Sequence, residues 1–241
     1  MPVNDLRIAY LLQVHRDPRQ LNRFIGQLSG DGNCDIYVHV DKKSAMPMIA
    51  SGGNVRVLEE SVDVRWGDIS IVDATLCLLR SLKRSNRKYD FVCLRSGQDL
   101  LVRNGLSEYL NGNRGKIFMN AQRIGAGSPE ACFWAIKWPG LARRRYDSFL
   151  HPMRILRAAL IRLYGGGINL LPNRNKPPMD IYRGTQWFCL PGDVAQYVVD
   201  FIEDNPWYYD AFKDSLAPDE YFFQTLIMNS PPPVIIGSSP R

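Results

Sequence analysis

The first apolar run, LRIAYLLQVH over residues 6–15, is continuous rather than alternating, the pattern of a strand covered on both faces. The period then becomes helical. Asp17 stands as an N-cap, Pro18 takes the first helical position, Leu21, Phe24, Ile25 and Leu28 share one face, and Gly30 follows. DIYVHVD (35–41) and VRVL (55–58) read as further strands, ISIVDATLCLLRSLKR (69–84) as a helix with a long apolar side, and YDFVCLRSG (89–97) as a return to strand. This alternation predicts an α/β fold, a Rossmann-like, mostly parallel sheet flanked by helices with right-handed crossovers.

The second half is less regular. KIFMNAQ (116–122) and QWFCLPG (186–192) predict strands, and DVAQYVVDFIED (193–204) predicts a helix with Val194, Tyr197, Val198 and Phe201 inward. Residues 138–180 are long for a connection and read as an insertion or a binding loop. Within them PMRILRAALIRLYGGG places Arg154, Arg157 and Arg162 on one helical side and Met153, Leu156, Leu160, Leu163 and Tyr164 opposite, stopped by the glycines at 165–167. That pattern serves equally a helix lying on an anionic membrane and a surface helix packed on its own core. In SLAPDEYFFQTLIMN (215–229) a helix starts at Pro218 and buries Tyr221, Phe222, Phe223 and Leu226. Asp219 and Glu220 then either offset the helix macrodipole or form a reaction centre.

Ligands of parallel sheets bind beyond the carboxyl ends of the strands. His15, His39, Asp41, Arg95, Ser96 and Gly97 all fall there, and although each alone could simply make a turn, together they predict a binding crevice. QVHRDP replaces the GxGxxG of a dinucleotide site after the first strand, and GxxxxGK[ST] is absent, which argues against NAD-type and P-loop nucleotide binding.

With 241 residues and 45% hydrophobic content, the chain suits one large α/β domain, with or without a small appendage. Its +6 charge is concentrated: residues 137–176 hold nine Lys and Arg against Asp147 alone. Such a surface attracts anionic lipid, a phosphorylated substrate or nucleic acid, but no nucleic-acid motif accompanies it and the aromatic residues mostly occupy core positions, so nucleic acid is not an expected partner. Cys34, Cys77, Cys93, Cys132 and Cys189, odd in number and mostly in apolar stretches, read as reduced core thiols. With no CxxC or HExxH, no metal site is expected. No segment reads as a leader or a bilayer span, so the expected protein is soluble and cytoplasmic, at most peripheral at an anionic membrane through residues 137–176.

Taken in order, AYLLQVHRDPRQLNRFI, DIYVHVDKKS, VRWGDISIVDATLCLL, YDFVCLRSGQDLLV, GTQWFCLP and LAPDEYFFQTLI resemble the core 2 and I-branching β-1,6-N-acetylglucosaminyltransferase family, which includes the protein O-xylosyltransferases. The resemblance runs from about residue 6 to the end. It implies a single GT-A type glycosyltransferase domain over 1–241, with a nucleotide-sugar-binding half (1–122) and an acceptor-binding half (123–241). It further implies an inverting enzyme that needs no divalent cation and no cofactor beyond a UDP-sugar donor, with N-acetylglucosamine the expected sugar and a saccharide or glycoconjugate as acceptor. The sequence agrees in containing no Asp-x-Asp.

By the same resemblance Val14, His15 and Asp41 contact the uridine. Trp66 and Gly67, with Ser96, Gly97 and Asp99, shape the sugar and acceptor pocket, Gln186 and Trp187 line the acceptor side, and Glu220 is the general base with Asp219 beside it. An inverting transfer needs one carboxylate to take the acceptor proton, whereas a retaining hydrolase needs two separated carboxyl groups, and neighbouring residues such as Asp219 and Glu220 do not face each other. Glu220 is expected to be ionised at neutral pH, with positioning counting for more than basicity.

The resemblance further implies basic residues near the end of the catalytic domain to hold the diphosphate, whereas this sequence stops at Arg241, in VIIGSSPR, where relatives usually continue. Either Arg241, Lys42 or Lys43 takes that role, or the chain is a fragment, or it is a degenerate member that binds a nucleotide sugar or glycan without turning it over.

Overall fold

In the computed structural model, which describes residues 6–46, 49, 51–125 and 127–231, the continuous apolar run is the strand β1 (Ile8–Val14). It pairs in parallel with β2 (Cys34–Val40) on one side and β4 (Phe91–Ser96) on the other, and β3 (Val55–Val57) lies outside β2. Beyond β4 come β8 (Phe188–Pro191), antiparallel to both its neighbours, and β5 (Phe118–Met119), giving the order β3-β2-β1-β4-β8-β5. A separate antiparallel ribbon joins β6 (Gln122–Ile124) to β7 (Ile181–Arg183). The helices are α1 (Pro18–Gly30), α2 (Ser70–Arg84), α3 (Leu106–Asn111), α4 (Cys132–Ala135), α5 (Gly140–Arg143), α6 (Pro152–Gly165), α7 (Gly192–Asp204), α8 (Pro206–Phe212) and α9 (Phe222–Met228).

Alternate residues of β1 enter opposite cores, which is why the strand carries no polar alternation. Ile8, Tyr10, Leu12 and Val14 pack against Leu21, Phe24, Ile25 and Leu28 of α1. Ala9 and Leu11 join the other layer, built from α2, α7, α8 and α9. Among the described residues no helix is long and apolar enough to cross a membrane.

Five expectations are corrected. KIFMNAQ is not one strand: β5 pairs with β8 and β6 with β7, so the chain leaves the sheet at Asn120. In α7 the innermost residues are Ala195, Val198, Val199 and Ile202, while Val194, Tyr197 and Phe201 lie half-buried at the flanks. Small side chains admit close approach to the sheet, and Phe201 instead packs tilted against Tyr197 at 5.8 Å and edge-on to Tyr208 at 5.6 Å.

The segment from Pro218 begins as a 3-10 turn (Pro218–Glu220) entered through Ala217 at φ 52°, and the α-helix starts only at Phe222, so Asp219 and Glu220 lie outside its first turn. In α6 only Leu160 is fully buried, packed with Ile161 and Tyr164 against Cys132 and Trp138, while Ile155 and Leu156 are exposed. Arg154 and Arg157 turn toward the preceding loop, because the carbonyls of Arg144, Tyr146 and Asp147 accept their guanidinium protons.

Finally, Cys93 and Cys189 stand directly opposite each other in the β4–β8 register and form a disulfide across 96 residues of sequence. Cys34, Cys77 and Cys132 are the free, buried thiols, each pushed up to about 11, chiefly by burial.

Candidate active site

The carboxyl ends of β1, β2 and β4 are stapled together by backbone. Asp41 N–H donates to the Val14 carbonyl at 2.8 Å and Gly97 N–H to the Gln13 carbonyl at 2.9 Å. A Cβ at Gly97 would lie 2.2 Å from Val14 Cγ1, so glycine is what lets the two strand ends approach. His15 is exposed at this rim and its carbonyl accepts from Ser44 Oγ at 2.7 Å. His39 is buried instead, its Nε2 accepting the Val62 N–H at 3.0 Å. Burial, opposed by Asp41, holds this imidazole below its ordinary value. It therefore supports the wall rather than facing a ligand.

Asp41 is nearly buried, and its carboxylate accepts from Lys43 N at 3.0 Å and from Lys43 Nζ at 3.0 and 3.1 Å. The same ammonium meets Asp63 at 2.7 Å and the Val64 carbonyl. Lys43 is thus held by two carboxylates, which leaves little of its charge for a diphosphate. Lys42 is exposed, while Arg241 lies outside the described residues.

Across the sheet, Ser96 N–H donates to Asp99 Oδ2 at 3.2 Å, and Asp99 and Trp187 line one cavity of about 580 Å³ with Arg95, Met119, Asn120 and Thr185. Gln186 reaches the end of β1 through Gln13 at 3.4 Å, and Gln13 is itself anchored to Thr75 Oγ1 at 2.7 Å. Val14, Asp41, Ser96, Gly97 and Gln186 are therefore brought to one edge. Trp66 is not among them: half-exposed, it faces a second cavity beside α6.

Gly67 connects the two regions. Its carbonyl accepts the Ala217 N–H at 3.1 Å, its φ is 74°, and an added Cβ would meet the Arg143 carbonyl at 2.6 Å. Ala217 opens the turn that carries Glu220. The Glu220 side chain, 35% exposed, is gripped by Arg183: Nε and Nη2 both donate to Oε2, at 2.9 and 2.8 Å. Arg183 also reaches Glu130 at 3.1 Å and lies over the Phe133 and Tyr221 rings. Gly184 N–H donates to the Glu220 carbonyl at 2.9 Å, so the end of β7 fixes both the backbone and the side chain of this acid. Arg183 precedes the GTQWFCLP stretch by one position, and sequence reasoning missed it because no periodicity marks a cation on a three-residue strand.

Asp219 differs sharply from its neighbour. Its Oδ1 is buried without a partner, and burial, with the Glu220 charge second, pushes this carboxyl up to about 7. In the unfolded chain it ionises near the ordinary carboxylate value, so folding holds the proton over the interval from about 4 to 7. Stability from this group is complete below that interval and is lost as pH rises through it. Asp219→Asn removes the penalty. The melting temperature of the variant relative to the parent is expected to rise by about 3 °C or more between pH 4.5 and 8, and a difference independent of pH would contradict the buried-acid geometry.

Among the described residues no three His, Cys, Asp or Glu side chains gather as a metal site would require.

The chain is similar to xylosyltransferase 1 of Homo sapiens, 28% identical over 242 residues that cover 96% of this chain and 23% of that protein. Against xylosyltransferase 2 of Rattus norvegicus it is 28% identical over 238 residues, covering 94% and 25%. For xylosyltransferase 2 of Pan troglodytes it is 29% identical over 238 residues, covering 93% and 25%. The chain thus spans about a quarter of the length of these relatives. Residues 8–233 match the model of the Core-2/I-Branching enzyme family, and together with the mostly parallel, helix-flanked sheet of GT-A type this assigns the chain: it belongs to that family.

Proposed function

We propose that this domain is an inverting, metal-independent glycosyltransferase that moves a sugar from a UDP-sugar to a hydroxyl of a saccharide acceptor, with Glu220 as general base. The observation that carries the reading is the Glu220 carboxylate, partly exposed and fixed at 2.8–2.9 Å by Arg183 on a turn tied to Gly67 and Gly184. In the reaction the acceptor oxygen attacks C1, its proton passes to Glu220, and the C1–O bond to UDP breaks with its electron pair leaving on the diphosphate. Arg183 orients the base through its two guanidinium donors. Residues 1–122 carry the donor half, with Val14, His15, Asp41, Ser96 and Gly97 at its edge, and residues 123–241 the acceptor half. N-acetylglucosamine is the first donor sugar to test, and xylose the second because the similar proteins bear that name. Phe149, Leu150 and Leu170, exposed among the basic residues of 137–176, further favour peripheral contact with an anionic membrane.

A second reading, a nucleotide-sugar or glycan-binding member without turnover, is favoured by the engagement of Lys43 with Asp41 and Asp63. Calorimetry with UDP and a UDP-release assay across donor sugars separate the two. The catalytic reading expects UDP binding and release at rates unchanged by EDTA. Binding without release supports the second reading, and a strict magnesium requirement overturns the metal-independent mechanism.

A further inference from the structure

A cavity not used by this mechanism, about 760 Å³, lies between the Trp66 loop and α6, with Arg145, Tyr146, Asp147, Arg154 and Arg157 among its walls. Its volume falls in the range of small-ligand sites. Its electrostatics are unbalanced. Three arginines line it against Asp147, and among the described residues none of the three is ion-paired; Arg154 donates to the carbonyls of Tyr146 and Asp147 at 3.2 and 3.1 Å, and Arg157 to that of Arg144 at 3.1 Å. Carbonyls orient these arginines without neutralising them, and their remaining donors suit the paired oxygens of a carboxylate or phosphate. Burial first, and the neighbouring Arg154 second, push Arg157 below its ordinary value.

The walls are built rather than incidental. Tyr146 stacks on His151 at 3.6 Å, and the His151 ring caps α6 by accepting the Met153 N–H at 3.2 Å. Arg157 lies over one side of the Trp66 ring at 5.6 Å, yet Trp66 as a residue stays 52% exposed, an aromatic platform of the kind that stacks on the CH face of a sugar. A short path of contacts links the cavity to the proposed base. Trp66 is bonded to Gly67, whose carbonyl holds Ala217, three residues before Glu220. The inner face of α6 packs on Phe133, the ring over which Arg183 sits.

We propose that this cavity is the acceptor subsite and selects a saccharide bearing a negatively charged group, a carboxylate or a phosphate, with Trp66 stacking the sugar and Arg154 and Arg157 reading the anion. This rests on the glycosyltransferase reading for its role, but the selectivity is measured without turnover. The probes are a glucuronate-containing hyaluronan tetrasaccharide against uncharged chitotetraose, and mannose 6-phosphate against mannose, titrated by calorimetry at 50 and 500 mM NaCl. At low salt each anionic probe is expected to bind about tenfold or more tightly than its neutral counterpart, with the preference shrinking at high salt. It should vanish in R154Q/R157Q, weaken in W66F and persist in R162Q, whose side chain lies on the exposed face of α6, while UDP affinity stays that of the parent.

Equal affinity for charged and neutral probes in the parent, or a preference that survives R154Q/R157Q, overturns the proposal. Binding to phosphatidylglycerol vesicles that depends on these two arginines, with no discrimination among the saccharides, also overturns it and reassigns them to a membrane surface. Should R154Q/R157Q lose UDP binding as well, the W66F and R162Q titrations decide by the same criteria. Absence of UDP binding in the parent, with anion selectivity intact, would count against the glycosyltransferase reading and not against the subsite.

Discussion

Glu220→Gln is expected to lower the rate of sugar transfer by about 10³-fold, within the range typical of losing a general base, while leaving UDP affinity within about twofold. The substitution preserves the size of the side chain and its capacity to accept from Arg183, but it removes the basic oxygen. That separation is useful because Glu220 has two duties in the structure. It closes an ion pair with Arg183 at 2.8 Å, and it presents a partly exposed carboxylate on a turn held by Gly67 and Gly184. A structural role alone would appear as a lowered melting temperature with transfer largely retained. A catalytic role appears as lost transfer with the melting temperature and UDP binding close to those of the parent. Retained turnover would remove Glu220 from the mechanism and leave the Arg183 contact as its whole purpose.

How far the sequence led depended on whether a feature was local. β1, α1, α2 and β4 fall within two residues of their expected bounds, because their burial is set by periodicity within one segment. Asp41 and Gly97 were placed at one sheet edge by strand position, since whatever ends a parallel strand lies at the same sheet edge. The errors are long-range. Nothing near Cys93 announces Cys189, because the antiparallel register of a strand arriving 96 residues later brings them together. Lys43 looked available until Asp63 and the Val64 carbonyl folded over it. Arg183 meets Glu220 from 37 positions away and Glu130 meets Arg183 from 53, so the surroundings of the proposed base, unlike its location, became readable only with the tertiary fold. The arginines of α6 were read as a face turned to solvent or membrane, whereas free carbonyls in the preceding loop draw Arg154 and Arg157 inward.

Gly184→Ala tests the packing beneath the site. An ideal Cβ at residue 184 would stand 1.6 Å from the Asn120 carbonyl oxygen and 2.5 Å from its carbon, with Gln224 Cγ at 3.3 Å. The first two obstacles are backbone, so no rotamer change relieves them; either the β5–β6 corner or the segment between β7 and β8 must move. Overpacking of this kind costs about 3 kcal/mol or more when backbone has to shift, and a corresponding drop in the urea midpoint is expected. Gly125→Ala, where nothing lies within 4 Å of the added atom, is the matched control and should stay within about 0.5 kcal/mol of the parent. The consequence reaches the chemistry, because Gly184 N–H holds the Glu220 carbonyl and the preceding residue is Arg183. Under conditions where Gly184→Ala remains folded, transfer should therefore fall well beyond the loss of folded protein, while UDP binding, proposed at the β1–β2 edge, changes less. An unchanged midpoint would mean that Asn120 and Gly184 are not in contact, and the site would lose the wall that fixes its base.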